Sequence, residues 1–202
     1  KNVVVLWAAR LVKEKGADLF AASLAHFFKH APTAQAARVR VVVVGAGPEL
    51  DAMRHALPDD PRVTTFLYHL SGPELWTAYA SSDIYFFPSH TEAFPNTLLE
   101  AQASGLAVLA PAYSVNRDLV PTDSGFLVDE HAGPQDFADA LLELLTDSTK
   151  RRAIAARAVE VARNRTWTAA FASLRQCYDR CDALYGGPSQ QRGASSSSSS
   201  SD

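Results

Sequence analysis

The sequence predicts an α/β protein: a doubly wound parallel sheet, Rossmann-like, of about six strands, followed by C-terminal helices. Three observations predict it. Short β-branched runs recur along the first two-thirds of the chain. Several are apolar without alternation, as expected of strands covered on both faces. Each is followed by a stretch with helical spacing, the alternation that builds βαβ units.

The strand candidates are 3–7, 39–44, 63–67, 84–87, 106–109 and 126–128, with helical patterns at 17–30, 49–57, 73–81 and 97–104. Ser71 and Glu74 have capping-box spacing, with Pro73 placed in the first turn. After residue 128 the pattern is helical only, at 135–145, 148–164 and 167–185, with Ser148 positioned to cap the second of these. From Gly186 the chain turns to Pro, Ser, Gln and Gly and ends in a serine run. That composition cannot bury enough surface to offset its ordering entropy, so 187–202 is expected to be disordered beyond a domain covering 1–186.

Composition narrows the function. The chain has 202 residues, 47% hydrophobic and 20% charged, enough for one domain with a sizeable core. A net charge of -3 carries no nucleic-acid footprint. The cluster Lys150, Arg151, Arg152, Arg157, Arg163 and Arg165 reads as a solvated helix face. Cys177 and Cys181, four apart, read as two free thiols on one helical face, which suits a reducing compartment. No apolar run approaches the roughly 20 residues that span a bilayer. The chain starts inside a strand-like run, so its true N-terminus is expected upstream. The expected location is the cytoplasm or the cytoplasmic face of a membrane.

In an open parallel sheet, ligands bind outside the carboxyl ends of the strands. After the first strand, Arg10 and Lys15 share a loop ahead of a helix. Two cations there suit either a pyrophosphate clamp, reinforced by the helix dipole, or a solvated basic loop. After the second strand, Gly45-Ala46-Gly47-Pro48-Glu49 permits a sharp turn and close approach to a ligand, or a plain strand-to-helix turn. It is not a dinucleotide fingerprint, because Leu50 stands where the third glycine would fall. After the fourth strand come Glu92 and, about one turn into the next helix, Glu100. Carboxylates flanking a helix N-terminus can accept bonds from sugar hydroxyls while the helix N–H groups meet phosphate. Equally, Glu92 could cap the helix and Glu100 be merely solvated.

The order of these segments resembles glycosyltransferase family 4. Thr91-Glu92-Ala93-Phe94-Pro95-Asn96-Thr97-Leu98-Leu99-Glu100 resembles its E-x7-E motif. Arg10-Leu11 with Glu14-Lys15-Gly16, the Gly45–Glu49 turn, Tyr79 to Asp83, Phe87-Pro88-Ser89 and Arg165-Thr166-Trp167 match its other landmarks. The resemblance runs from about residue 3 to 185.

It implies the donor-binding half of a retaining enzyme of GT-B fold, moving a sugar from a UDP- or GDP-sugar to an acceptor bound by an absent N-terminal domain. By it, Arg10 and Lys15 hold the pyrophosphate, Glu100 the ribose, and Glu92 the transferred sugar. The N–H groups of Phe94, Asn96, Thr97 and Leu98 meet sugar or phosphate oxygens, and Gly45 and Gly47 line the donor site. His90 is a further candidate, though a lone histidine suits a structural role equally. No cofactor or metal is expected, since cations stabilise the leaving group and no Asp-x-Asp motif occurs. Neither a nucleic-acid partner nor a named acceptor is implied, and membrane contact is left to the missing half.

Two departures stand out. Tyr68-His69 replaces the family's usual glycine near the base, and Ser114-Val115 replaces its Gly-Gly pair after the fifth strand. A β-branched residue resists the positive φ that glycine allows. That departure motivates the alternative of a non-catalytic nucleotide-sugar-binding or interaction module. A sugar-nucleotide epimerase of the same fold is a third reading.

Overall fold

The computed structural model describes residues 1–60, 63–121 and 123–185. Six strands, β1 (Val3–Ala8), β2 (Val39–Val44), β3 (Thr64–Leu67), β4 (Ile84–Phe86), β5 (Ala107–Pro111) and β6 (Phe126–Val128), form one sheet. Their order is β3-β2-β1-β4-β5-β6, and every neighbouring pair is parallel. The winding reverses between β1 and β4, which is where such sheets open a ligand crevice beyond their strand ends.

Among the described residues the helices are α1 (Ala17–His30), α2 (Thr33–Ala36), α3 (Leu50–Ala56), α4 (Gly72–Ala80), α5 (Asn96–Ala103), α6 (Ser114–Leu119), α7 (Pro134–Thr146), α8 (Ser148–Arg163) and α9 (Trp167–Tyr185). Successive strand residues point to opposite faces, so the sheet separates two cores. Val5, Trp7, Ile84 and Phe86 pack with Phe20 of α1 and Phe137 of α7. Leu6, Ala8, Tyr85 and Phe87 pack with Tyr79 of α4 and with Leu98 and Ala101 of α5. In the first core an aromatic column runs Trp7, Phe20, Phe86, Phe137 at centroid spacings of 4.9, 5.1 and 5.2 Å. Tyr79 and Tyr85 both belong to the second core.

Asp83 ties the two central strands at their entry. Its Oδ2 accepts the Val4 N–H at 2.9 Å, and its own N–H donates to the Val4 carbonyl at 2.9 Å. The β1–β4 pairing therefore starts in fixed register, and the loops at the opposite ends emerge side by side.

Several local expectations change. Ser71 makes no side-chain cap, and α4 begins instead at Gly72 with φ 53°. Ser148 is the first residue of α8, and Asp147 Oδ1 caps it, accepting the N–H groups of Thr149 and Lys150 at 3.0 and 2.8 Å. Arg151 is not part of a solvated face. It is buried, and its Nη1 donates to the Leu144 carbonyl at 2.6 Å, closing the C-terminus of α7. Val115 takes no glycine-like conformation, because 114–119 is the short helix α6, with Val115 packed against the second core. The departure from a Gly-Gly loop is absorbed by a helix, and backbone strain at Val115 no longer argues for a non-catalytic module.

The described residues fall in two compact units, Lys1–Arg163 and from Asn164 onward. The division lies inside the 1–186 span expected as one domain. In the second unit α9 has no buried residue, and Cys177 and Cys181 are free and exposed. The tail expected at 187–202 lies outside the described residues. Among the described residues no helix is long and apolar enough to cross a membrane.

Candidate functional site

Two loops meet at the reversal point, one after β1 and one after β4. Gly16 has φ 78°, and a Cβ there would lie 2.7 Å from the Pro88 carbonyl oxygen, so only glycine lets the loops touch. The Ser89 and Thr91 hydroxyls then donate to the Glu14 carbonyl at 3.3 and 2.8 Å. Lys15 ends a 3₁₀ turn, Lys13–Lys15, directly between these anchors. Its ammonium sits on the Glu92 carboxylate, Nζ to Oε1 2.7 Å and to Oε2 2.8 Å. Glu92 therefore pairs with a cation rather than capping α5, whose cap residue Pro95 makes no side-chain cap.

The β2 turn presses on the β1 loop from the other side. A Cβ on Gly45 would lie 1.9 Å from the Ala9 carbonyl oxygen, and one on Gly47 2.2 Å from that of Leu11. These glycines serve the close approach of two protein backbones. Gly45 also borders a hollow, whereas Gly47 is filled against Leu11.

Two adjoining concavities lie over this junction. One, of about 220 Å³, is lined by Arg10, Lys15, Glu92, Phe94, Asn96 and Thr97 among others. The other, of about 280 Å³, is bordered by Gly45, His69, Leu70, Leu75 and Tyr79. Ala9, Arg10 and Thr97 border both, so the exposed Arg10 stands at the passage between them. The first turn of α5 faces the smaller hollow. It brings the positive end of a helix dipole to the two cations, an electropositive pocket with one carboxylate at its edge.

Other expected site residues are placed less directly. Leu98 has a fully buried side chain, and its N–H donates to the Pro95 carbonyl at 3.1 Å. The Asn96 N–H donates to the Phe94 carbonyl at 3.1 Å. Of the first-turn donors, the Thr97 N–H is the one at the second helical position, where no intrahelical acceptor exists. The Tyr68 side chain turns to Arg54, whose Nη2 donates to its hydroxyl at 3.2 Å, while the Tyr68 carbonyl accepts the Gly45 N–H at 3.1 Å. His69, not Tyr68, borders the larger hollow. His90 stands edge-on to Tyr113, centroids 6.3 Å apart. Glu100 is exposed on the second turn of α5 and borders neither hollow; its carboxylate opposes ionisation of Tyr79, which lines the larger one.

Tyr79 lines the larger hollow, and Tyr85 packs beside it, ring centroids 5.7 Å apart. Burial pushes both hydroxyls well above the ordinary tyrosine range, with the neighbouring Tyr85 and Glu100 adding to the effect at Tyr79. Tyr85 donates to the Ala8 carbonyl at 3.1 Å. On the sequence Tyr79 carries no functional signal, since it reads as one residue of the Tyr79 to Asp83 landmark.

The family model for glycosyl transferases group 1 matches residues 1–161. The chain belongs to this family. This group 1 glycosyl transferase chain is 34% identical over 182 residues to a D-inositol 3-phosphate glycosyltransferase of Corynebacterium aurimucosum, covering 87% of the chain and 42% of the relative. It is 29% identical to a GDP-mannose-dependent alpha-mannosyltransferase of Corynebacterium glutamicum, covering 90% and 40%. It thus spans about two-fifths of the length of these curated relatives. Among solved structures it superposes on the C-terminal domain of a group 1 family protein, LpcC, of Francisella tularensis, with TM-score 0.67 and 26% identity, over 81% of this chain and 85% of that one. Anabaena Alr3699/HepE, solved with UDP and glucose, shares the fold at TM-score 0.69 and 23% identity, over 91% and 49%. The fold and the family expected from the sequence both stand.

Proposed function

We propose that this group 1 glycosyl transferase chain is the donor-binding part of a retaining enzyme that takes a UDP- or GDP-sugar and passes the sugar to an acceptor held by a second lobe. One observation carries the reading: Arg10, Lys15 and Glu92 border one hollow with the first turn of α5, and that hollow adjoins a less polar one through Arg10. A nucleoside diphosphate sugar has the matching order of parts. The base and ribose occupy the larger hollow, the diphosphate lies by Arg10, Lys15 and the Thr97 N–H, and the sugar ends at Glu92. Two relatives, one named for inositol phosphate and one for GDP-mannose, and a neighbour solved with UDP and glucose are consistent with this ligand class.

The chemistry required of these residues is electrostatic. Breaking the sugar–phosphate bond puts charge on the β-phosphate, and fixed cations with a helix N-terminus stabilise that charge more than the ground state. Lys15 already faces a carboxylate, so it is held oriented before the donor arrives. Among the described residues no group of three or more His, Cys, Asp or Glu could hold a metal ion. Glu92 orients the transferred sugar, Glu100 binds the ribose hydroxyls, and contact with a lipid surface, where there is one, falls to the acceptor lobe. Calorimetric titration of UDP and of GDP into the chain tests the reading. Saturable binding that Arg10→Ala weakens is expected, and heats no larger than dilution for both nucleotides at millimolar concentration would refute it.

A further inference from the structure

The Tyr79 hydroxyl is the unexplained polar group of the crevice floor. The residue is 1% exposed and borders the larger hollow, and its hydroxyl is buried with no hydrogen-bond partner. A buried hydroxyl left unpaired is costly, and native proteins keep few of them. Its neighbour shows what satisfaction looks like here: Tyr85, with its ring centroid 5.7 Å away, donates to the Ala8 carbonyl. Packing alone would be served by phenylalanine at position 79, whose ring fills the same space between Leu6, Leu75 and Tyr85 in this core.

Two acceptors stand near it, the Tyr85 hydroxyl oxygen and the Glu100 carboxylate, and both oppose a tyrosinate at position 79, yet neither meets the hydroxyl with hydrogen-bond geometry in this structure. Tyr85 is fixed in the core, its own proton given to the Ala8 carbonyl, so Glu100 is the acceptor able to move. Glu100 is exposed on α5, with freedom to rotate, while Tyr79 is fixed by the core. A carboxylate on a flexible three-bond stem loses rotamer entropy when it is ordered onto a ligand. A fixed O–H that meets one carboxylate oxygen sets the orientation of the other toward the hollow.

We propose that Tyr79 is a positioning residue. When a nucleotide enters, Glu100 turns inward, accepts the Tyr79 O–H, and presents its remaining lone pairs to the vicinal hydroxyls of the ribose. Tyr79 itself touches no ligand atom. This rests on the donor-binding reading above, and the test separates the two.

UDP and 2′,3′-dideoxy-UDP are titrated into wild type, Tyr79→Phe, Glu100→Ala and the double variant, with thermal unfolding of each. If wild type binds neither UDP nor GDP, the donor-binding reading fails and this inference with it. Given wild-type UDP binding, Tyr79→Phe is expected to weaken UDP about tenfold, in the range for a hydrogen bond to a charged group. It should not change binding of the dideoxy nucleotide, and should add no loss in the Glu100→Ala background. Its unfolding midpoint should equal or exceed that of wild type, since an unpaired hydroxyl has been removed. Equal UDP affinity for wild type and Tyr79→Phe, or an equal loss with both nucleotides, overturns the positioning role while leaving the donor site standing.

Discussion

The Lys15–Glu92 pair makes an opposite prediction for nucleotide and for nucleotide sugar. In the unliganded chain Lys15 is held by Glu92 at 2.7 and 2.8 Å. The two side chains retain 24% and 14% of their exposure, so the pair is mostly shielded but not sealed. Such a pair lies toward the upper end of the exposed range, about 1 kcal/mol. UDP must compete with that carboxylate for the ammonium and brings its own negative charge toward Glu92. Glu92→Gln removes both costs and keeps the shape, so UDP should bind about fivefold tighter, the equivalent of about 1 kcal/mol. The gain should shrink at high salt, where charges are screened. A donor carrying its sugar should show less gain or a loss, because Glu92 is then needed at the sugar. The assay is calorimetry at two salt concentrations with UDP and UDP-glucose, alongside thermal unfolding with and without UDP. Weaker UDP binding by Glu92→Gln would refute the competition argument and show that Glu92 is required to hold Lys15 on the phosphate.

Other expectations follow from the same geometry. Arg10→Ala should weaken UDP or GDP by about 1–3 kcal/mol in titration, because a charged donor is lost from the passage between the hollows. Gly16→Ala should lower stability by at least about 1–2 kcal/mol in denaturant unfolding, from positive φ alone, and by more through the Pro88 contact. Phe137→Ala, at the end of the aromatic column opposite Trp7 and lining neither hollow, should cost about 3–5 kcal/mol of stability, while protein still folded keeps its nucleotide affinity. Tyr79 and Tyr85 are held neutral above their ordinary value of 10.0, so the unfolded chain loses those protons first as pH rises. The stability they lend is complete below about pH 10 and declines above it, so Tyr79→Phe should shift alkaline unfolding to higher pH in a fluorescence titration.

Much of the architecture was legible because its cause is local. A strand buried on both faces must be apolar throughout, and all six strands stand where the β-branched runs place them, within two residues at their ends. Strand order was not legible residue by residue. It follows from which faces find partners, and Asp83 closing on Val4 shows the kind of long-range contact that decides it. At α8 the cap expectation failed where two polar residues compete at adjacent positions. Asp147 rather than Ser148 took the α8 N–H groups, because the cap must stand one residue outside the helix, with its side chain reaching the second and third helical N–H groups. Charge clustering places Arg151 on a solvated face because it says nothing about which member of the cluster reaches the end of a preceding helix. At the site, Arg10, Lys15, Glu92, Phe94, Asn96 and Thr97 of the motifs border one hollow, whereas Gly47, Tyr68, His90, Leu98 and Glu100 border neither. The motifs supply residues to the crevice without saying which side chains face it. They do not reveal that Gly45 and Gly47 serve backbone against backbone, or that the Leu98 N–H is already spent on Pro95.

Those same glycines bear on how the site works. The β1 loop is confined from two sides, by the β2 turn at Gly45 and Gly47 and by the β4 loop at Gly16, at distances where even one methyl would collide. Polar bonds from Ser89 and Thr91 to the Glu14 carbonyl add direction to that confinement. Arg10 and Lys15 are five residues apart on this one clamped segment, so their backbone separation is set before any ligand is present. Stabilising a developing phosphate charge depends on such fixed placement, because cations that must first be gathered lose in reorganisation what they gain in attraction. Glu92 belongs to the other loop and faces Lys15 across the junction. A change in the distance between the two loops therefore alters the pairing of this cation and the position of Glu92 directly. In the proposed donor-binding role, one ion pair then couples leaving-group stabilisation to sugar placement, and the glycine contacts keep that coupling stiff.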